Sequence, residues 1–388
     1  NFFLKSLFLI KLFSKKFIFS KKFIYVYLKF FFLYIIMKPI LAFYMGYSES
    51  FNGQNYNSKN VYGSEINALK LAEALSNIYD VYIFVNMDEK DELVYNNVTY
   101  LNMYKLNNFK KIDIMIVVRY INYFIYFKSI ATKTYIWICD MIINPAYCGI
   151  LIENTASNLI SNLKSNIDGL VCLSDWHINN IKNTIDTTNL NMYLMYNPLD
   201  LSYYKPNIPI IKNRFIYTSD ISRGLDILLD CLIYIQQFVP DISLVVFRNH
   251  TFTDNIKKKI KLLNNVQSFG KESQNKVAFE YLQSEYFFYP TNFYETFCNC
   301  AAEAQLYYCV CIYNNIGGLS TTINNRGLQI NYKLNSKDYV EKTCNDVIEL
   351  MNNTEKKIDY LYRGHNWAKS LNINNLKDKW IDLFNNNI

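Results

Sequence analysis

The sequence has only three histidines, His177, His250 and His365, too far apart along the chain to form a metal-binding motif. No G-x-G-x-x-G follows any apolar run, which removes the best sign of an NAD-binding turn. No repeat at the spacing of a solenoid or propeller is visible. The nine cysteines, an odd number, sit in apolar contexts without a regular framework, which argues against a disulfide scaffold and for a reducing, cytoplasmic setting. Cys298, Cys300, Cys309 and Cys311 form two C-x-C pairs, but residues i and i+2 of a helix point about 200° apart, a poor start for zinc. No metal and no bound cofactor are expected.

Acidic residues are missing from residues 1–36, whose seven lysines account for the whole net charge of +7. From Met37 onward 33 basic residues balance 33 acidic ones. A neutral body excludes non-specific nucleic-acid binding, which needs many unpaired cations. The leader does not begin with methionine, and its longest apolar stretch, Phe23–Ile36, falls short of the roughly 20 residues that span a bilayer. It reads either as a basic membrane-associating or signal-like segment, or as upstream sequence with Met37 as the true start. Membrane association is expected only through it.

With 388 residues, 51% of them hydrophobic, the chain can bury two sizeable cores. Ile40–Met45 is a continuous apolar run. A polar loop, a helical pattern over Ser64–Ser76 and a second run at Val81–Val85 complete a βαβ unit. Further runs at Ile114–Val118, Tyr135–Cys139, Gly169–Cys172 and Met192–Met195 alternate with helical segments, the pattern of a parallel sheet covered on both faces. Within it, Ser174 reads as the cap of the following helix, Glu65 as a first-turn charge, and Asp140, at a strand's carboxyl end, either as a residue facing the ligand crevice or as a helix or turn cap. A second Rossmann-like unit starts near Arg214. Strand Phe215–Thr218 and a loop lead to Arg223-Gly224 and a leucine-rich helix, strand Ser243–Phe247 ends at Arg248, and Val266–Phe269 ends at Gly270 and Lys271. Two helices are expected at the end, the last running through Trp367, Leu376 and Trp380.

The most informative stretch is Tyr289–Ile323. Tyr286–Tyr289 suits a buried strand that Pro290 closes, since proline gives no amide to the ladder. A helix should start near Phe297–Asn299, and its free first amides, including those of Phe297, Cys298 and Asn299, make a site for phosphate. Glu295 precedes that start and Glu303 follows eight residues later, about 12 Å away along a helix, the reach of a nucleotide sugar.

Pro290, Thr291, Glu295, Phe297, Glu303, Ala304, Gly317 and Gly318 resemble the signature of the retaining glycosyltransferases of family 4. The family usually has glycine where Cys298 stands and another after the helix, where Leu306–Tyr308 have none. It also has a second glycine beside Gly63 and a histidine where Cys139 stands. The resemblance implies the α/β GT-B fold: two Rossmann-like domains with parallel sheets facing a cleft and a C-terminal helix crossing back to the first domain. It divides the chain into the leader 1–36, an acceptor domain 37–205, a donor domain 212–365 and a crossover helix 366–388.

The implied reaction moves a sugar from a nucleotide diphosphate sugar, UDP- or GDP-linked, to a hydroxyl of a glycan, lipid or protein acceptor with retention of configuration. Glu295, Asp140 and Arg223 are the implied catalytic residues. Glu303, Phe297, Cys298, Asn299, Gly270 and Lys271 would bind the donor, and Gly63 with Ser64 would line the cleft. A protein of the same fold that binds a nucleotide or glycan without transfer is the alternative.

Overall fold

The computed structural model describes residues 38–385 except 47, 49, 57–60, 89, 128–129, 144–162, 164, 206, 248–249 and 335. The leader, Met37 and Arg248 therefore lie outside the described residues.

The first unit runs β1 (Ile40–Met45), α1 (Gly63–Leu75), β2 (Asp80–Val85), β3 (Leu93–Tyr95), β4 (Val98–Asn102), β5 (Ile112–Val118), α2 (Tyr123–Tyr126), β6 (Ala131–Trp137), β7 (Gly169–Cys172), α3 (Asp175–Thr184) and β8 (Met192–Leu194). Its sheet has the order β3-β4-β2-β1-β5-β6-β7-β8. β1 pairs in parallel with β2 and β5, and Leu41 to Met45 are fully buried, as a near-continuous apolar run in the middle of a parallel sheet requires. The sheet is not purely parallel, because β3 runs antiparallel to β4. Their turn, Asn96-Asn97, has φ values of 50° and 60°, the two left-handed residues of a tight hairpin that asparagine tolerates.

The second unit runs β9 (Ile211–Tyr217), α4 (Leu225–Ile235), β10 (Ser243–Phe247), α5 (Asp254–Ile260), β11 (Val266–Phe269), α6 (Gln274–Leu282), β12 (Ser284–Tyr289), α7 (Asn299–Leu306), β13 (Val310–Asn314), α8 (Leu319–Thr322) and β14 (Gly327–Ile330). The order β11-β10-β9-β12-β13-β14 is parallel throughout and puts β9 and β12 side by side at the centre. The loops that follow these two strands therefore meet.

Three helices close the chain where two were expected: α9 (Tyr339–Asn352), α10 (Thr354–Ser370) and α11 (Ile373–Phe384). The break falls at Leu371-Asn372, where the Asn372 side chain accepts from the Asn374 amide at 2.8 Å and caps α11. α11 returns to the first unit. Trp380 packs on Trp137 with centroids 5.0 Å apart, and Phe384 meets Tyr79 and Tyr135. The Leu199 amide reaches Leu371 O at 2.9 Å, fixing the point of return.

Candidate active site in the cleft

Glu295 lies in the loop after β12, 8% exposed, and its Oε1 accepts from the Tyr289 hydroxyl at 2.7 Å and from Arg223 Nη1 at 3.0 Å. Arg223 stands in the loop after β9 with its guanidinium 3.9 Å from the centre of the Phe293 ring. Burial opposes its charge most strongly of any one cause, but its neighbours, Glu295 foremost, together outweigh this and raise its pKa. Behind Glu295 the Gly317-Gly318 turn fits against the backbone. A Cβ on Gly318 would sit 2.3 Å from Thr296 O, and one on Gly317, whose φ is +56°, 2.7 Å from Glu295 O. The paired glycines are thus the price of bringing two main chains into contact.

α7 begins beside this loop as the sequence places it. Phe297 is 1% exposed and stacks on Tyr196 at 5.7 Å, so its ring anchors the loop in the core and only its backbone faces the helix start. Cys298 is the residue that enters the helix, with φ 74°, a left-handed conformation that explains the glycine usual there. Its thiol is buried and pushed well up by desolvation. Tyr308 has φ 62° at the other end, where the Tyr308 and Cys309 amides reach Gln305 O (3.3 Å) and Ala304 O (2.8 Å). Those two bonds form the Schellman motif that glycine favours, and here a tyrosine occupies its left-handed position, its ring stacked on His365 at 3.9 Å.

Asn299, the first residue of α7, accepts from Asn197 Nδ2 at 2.8 Å. Its own Nδ2 lies where a Cβ on Gly63 would come within 2.9 Å, so α1 and α7 start in close approach. Ser64 donates to Glu65 at 2.8 Å rather than facing a ligand alone. One turn into α7, Glu303 lines a cavity of about 480 Å³ together with Gly63, Asn67, Lys70, Asp200 and Tyr307. Glu303 has no hydrogen-bond or ion-pair partner among the described residues, and burial pushes its carboxyl up to about 7. Asn67, 6% exposed, has an unpartnered Nδ2 among the described residues.

The first unit contributes an ionic group that the sequence did not reveal. Arg119, directly after β5, pairs with Asp140 at 2.9 Å and with Glu65 at 3.5 Å, and the Tyr120 hydroxyl donates to Glu65 at 3.1 Å. Glu65 is 2% exposed, a buried member of this group rather than a solvated first-turn charge. Arg119 has φ 63°, an uncommon conformation for so large a residue. The only sequence signal was a cation at a strand's carboxyl end. Burial pushes the Asp140 carboxyl up and Arg119 only partly offsets this.

Cys139, where the resembling family has histidine, has its thiol pushed up by burial. A histidine does lie near: His177 Nδ1 accepts from the Leu173 amide at 3.2 Å, so Nε2 carries the proton donated to Asp140 O at 2.8 Å. Full burial holds its pKa down to about 4, which keeps it neutral. Ser174 caps α3 as expected, accepting from the His177 amide at 3.1 Å. Gly270 and Lys271 are exposed at the end of the edge strand β11, and a Cβ on Gly270 would project into open space.

Among the described residues no group of three or more His, Cys, Asp or Glu side chains could hold a metal ion. Nor is any helix among them long and apolar enough to cross a membrane.

Two parallel-sheet α/β units with their strand-end loops in one cleft, closed by a C-terminal helix on the first unit, define the GT-B fold. Solved structures with that fold superpose on three quarters or more of the chain. Sucrose-phosphate synthase from Thermosynechococcus elongatus is similar with a TM-score of 0.67 at 12% identity, over 90% of this chain and 99% of that one. HepE from Anabaena, in complex with UDP-glucose, gives 0.66 at 12% identity over 89% and 99%. TarM from S. aureus, in complex with UDP, gives 0.57 at 17% identity over 75% and 60%. No family model matches the chain, and no curated protein does.

Proposed function

We propose that this chain is a retaining glycosyltransferase of the family 4 kind, moving a hexose from a nucleotide diphosphate sugar to an acceptor hydroxyl. The observation that carries this reading is the Arg223–Glu295 pair beside the start of α7, with Glu303, unpartnered among the described residues, one turn into the same helix. In the free protein Arg223 and Glu295 satisfy one another. Donor binding separates them: the guanidinium, always charged, grips the diphosphate with the first amides of α7, and Glu295 takes the sugar hydroxyls. Glu303 accepts from the ribose hydroxyls, with Gly270 and Lys271 beside the base.

As the bond from C1 to the diphosphate breaks, the acceptor oxygen bonds to C1 on the same face, and its proton passes to a donor phosphate oxygen. Arg223 and the helix amides stabilise the charge growing on the leaving group, and Asp140, oriented by Arg119, holds the acceptor hydroxyl. Residues 37–205 form the acceptor domain, 212–365 the donor domain and 366–388 the return to the first. UDP is the first donor base to try, given HepE, with GDP second. The acceptor is a glycan, lipid or protein hydroxyl, and the setting is cytoplasmic.

One observation favours a second reading, a protein that binds the nucleotide without transfer: Cys139, with its protonated thiol, lacks the hydrogen-bonding capacity of a cleft histidine. A thermal-shift series with UDP, GDP and ADP on the wild type and Arg223→Ala tests both, followed by release of nucleoside diphosphate from the matching sugar donor. A ligand at 100 times its Kd adds about 2.7 kcal/mol to stability. A shift with one nucleotide, lost in Arg223→Ala and accompanied by turnover, supports transfer. The same shift without turnover supports binding alone, and no shift with any nucleotide rejects both.

A further inference from the structure

The residues on either side of Glu295 are held by the other domain. Tyr294 stacks on Trp176 of α3, with ring centroids 5.7 Å apart and planes at 18°. Thr296 Oγ1 donates to Cys139 O at 3.0 Å, and Ser174 Oγ donates to Thr296 O at 2.7 Å. On its other side the Gly317-Gly318 turn presses on the same segment, with the Gly318 amide donating to Glu295 O. Three successive residues, 294 to 296, are thus clamped between a glycine turn of the second sheet and loops from strands β6 and β7 of the first. Among the described residues of the second unit, the Glu295 carboxylate itself is oriented only by Tyr289 and Arg223, and Arg223 must leave it when donor binds.

We propose that Thr296, Ser174 and Trp176 are positioning residues for Glu295: the first domain sets the sugar-side carboxylate in place, and only while the two sheets are closed on each other. This rests on the reading of Glu295 given above. A transferase built this way guards against donor hydrolysis, because opening the cleft to exchange ligands also withdraws the carboxylate that orders the sugar. The nucleotide, held by Arg223 and Glu303 of the second domain alone, stays bound through such an opening. Loss of the clamp therefore acts chiefly on turnover and leaves affinity for the nucleotide unchanged.

Thr296→Val removes only the bond to Cys139 O, Thr296→Ser restores it, and Trp176→Leu removes the stack. Two readouts are taken on the full chain: amide hydrogen exchange over residues 293–298 by mass spectrometry, and release of nucleoside diphosphate from UDP-glucose and GDP-mannose. The expected result is exchange about tenfold faster in Thr296→Val and Trp176→Leu, with kcat down about tenfold, KM for the donor within twofold, and both restored by Thr296→Ser. Wild-type exchange in the Val and Leu variants overturns the inference, as does faster exchange with wild-type kcat. A wild type that neither binds nor turns over either donor defeats the functional reading instead, and exchange alone then decides whether the first domain holds this segment.

Discussion

Replacing Glu303 by glutamine should stabilise the protein and disable its nucleotide site at once. The carboxyl is pushed from 4.5 to about 7 by burial alone, with no partner among the described residues to offset the cost of its charge. Between those two values the folded state keeps a proton that the unfolded chain releases, so the folded state loses stability as pH rises through this window. At about 1.4 kcal/mol per pH unit, the ionised group costs the native state about 3 kcal/mol above pH 7. By the same arithmetic the cost falls below about 1 kcal/mol at pH 5. Glu303→Gln keeps the shape and removes the charge. In urea unfolding at pH 5 and pH 8, the variant should gain about 2 to 3 kcal/mol over wild type at pH 8 and less than about 1 kcal/mol at pH 5. Its response to UDP should vanish at pH 8, where the wild type presents an ionised, charge-assisted acceptor to the ribose hydroxyls and glutamine does not. A variant no more stable than wild type at pH 8, or a gain independent of pH, would refute the claim that this carboxylate is held unpaired for a ligand.

Other substitutions probe the frame around the site. Cys298→Gly should leave Tm unchanged or raise it by an amount equivalent to about 1 kcal/mol, since φ 74° penalises any side chain, whereas Cys298→Val should lower it. Trp380→Ala should cost about 3 to 5 kcal/mol in urea unfolding by opening a cavity against Trp137, and a loss under about 1 kcal/mol would show that α11 is not anchored there. His177, buried and neutral with a pKa near 4, makes the wild type lose up to about 3 kcal/mol as pH falls from 6.5 toward 4, because the unfolded chain takes up the proton first. In His177→Gln, which keeps one acceptor and one donor, that part of the acid sensitivity should disappear. Identical pH profiles would contradict the assignment.

Central strands were the most legible part of the chain. β1 and β7 lie where their apolar runs predict, because a strand buried on both faces must write itself as uninterrupted hydrophobic sequence. The start of α7 was equally clear, since proline, a polar loop and alanines leave few other foldings. Edges were less so. The β3–β4 hairpin is not among the sequence expectations, because its half-exposed strands carry a weak pattern and only Asn96-Asn97 marks the turn. Arg119 could not have been singled out, for its partners lie 54 and 21 residues away and only adjacent strand ends bring them together.

Two of the three departures from the glycine signature have a local explanation. Cys298 and Tyr308 both keep the left-handed backbone that glycine would have served, so the geometry outlasts the residue that usually marks it.

The return of α11 to the first sheet also bears on how the protein is made. Tyr79, Tyr135 and Trp137 emerge from the ribosome well before the helix that covers them, which is translated only after the whole second unit. Throughout synthesis of the second unit, the first therefore waits with an aromatic face open to solvent, a surface on which partly made chains can stick to one another. Completion of the first domain is deferred until the second unit has been made, and a chain that stops before α11 leaves a product that is sticky on its first domain.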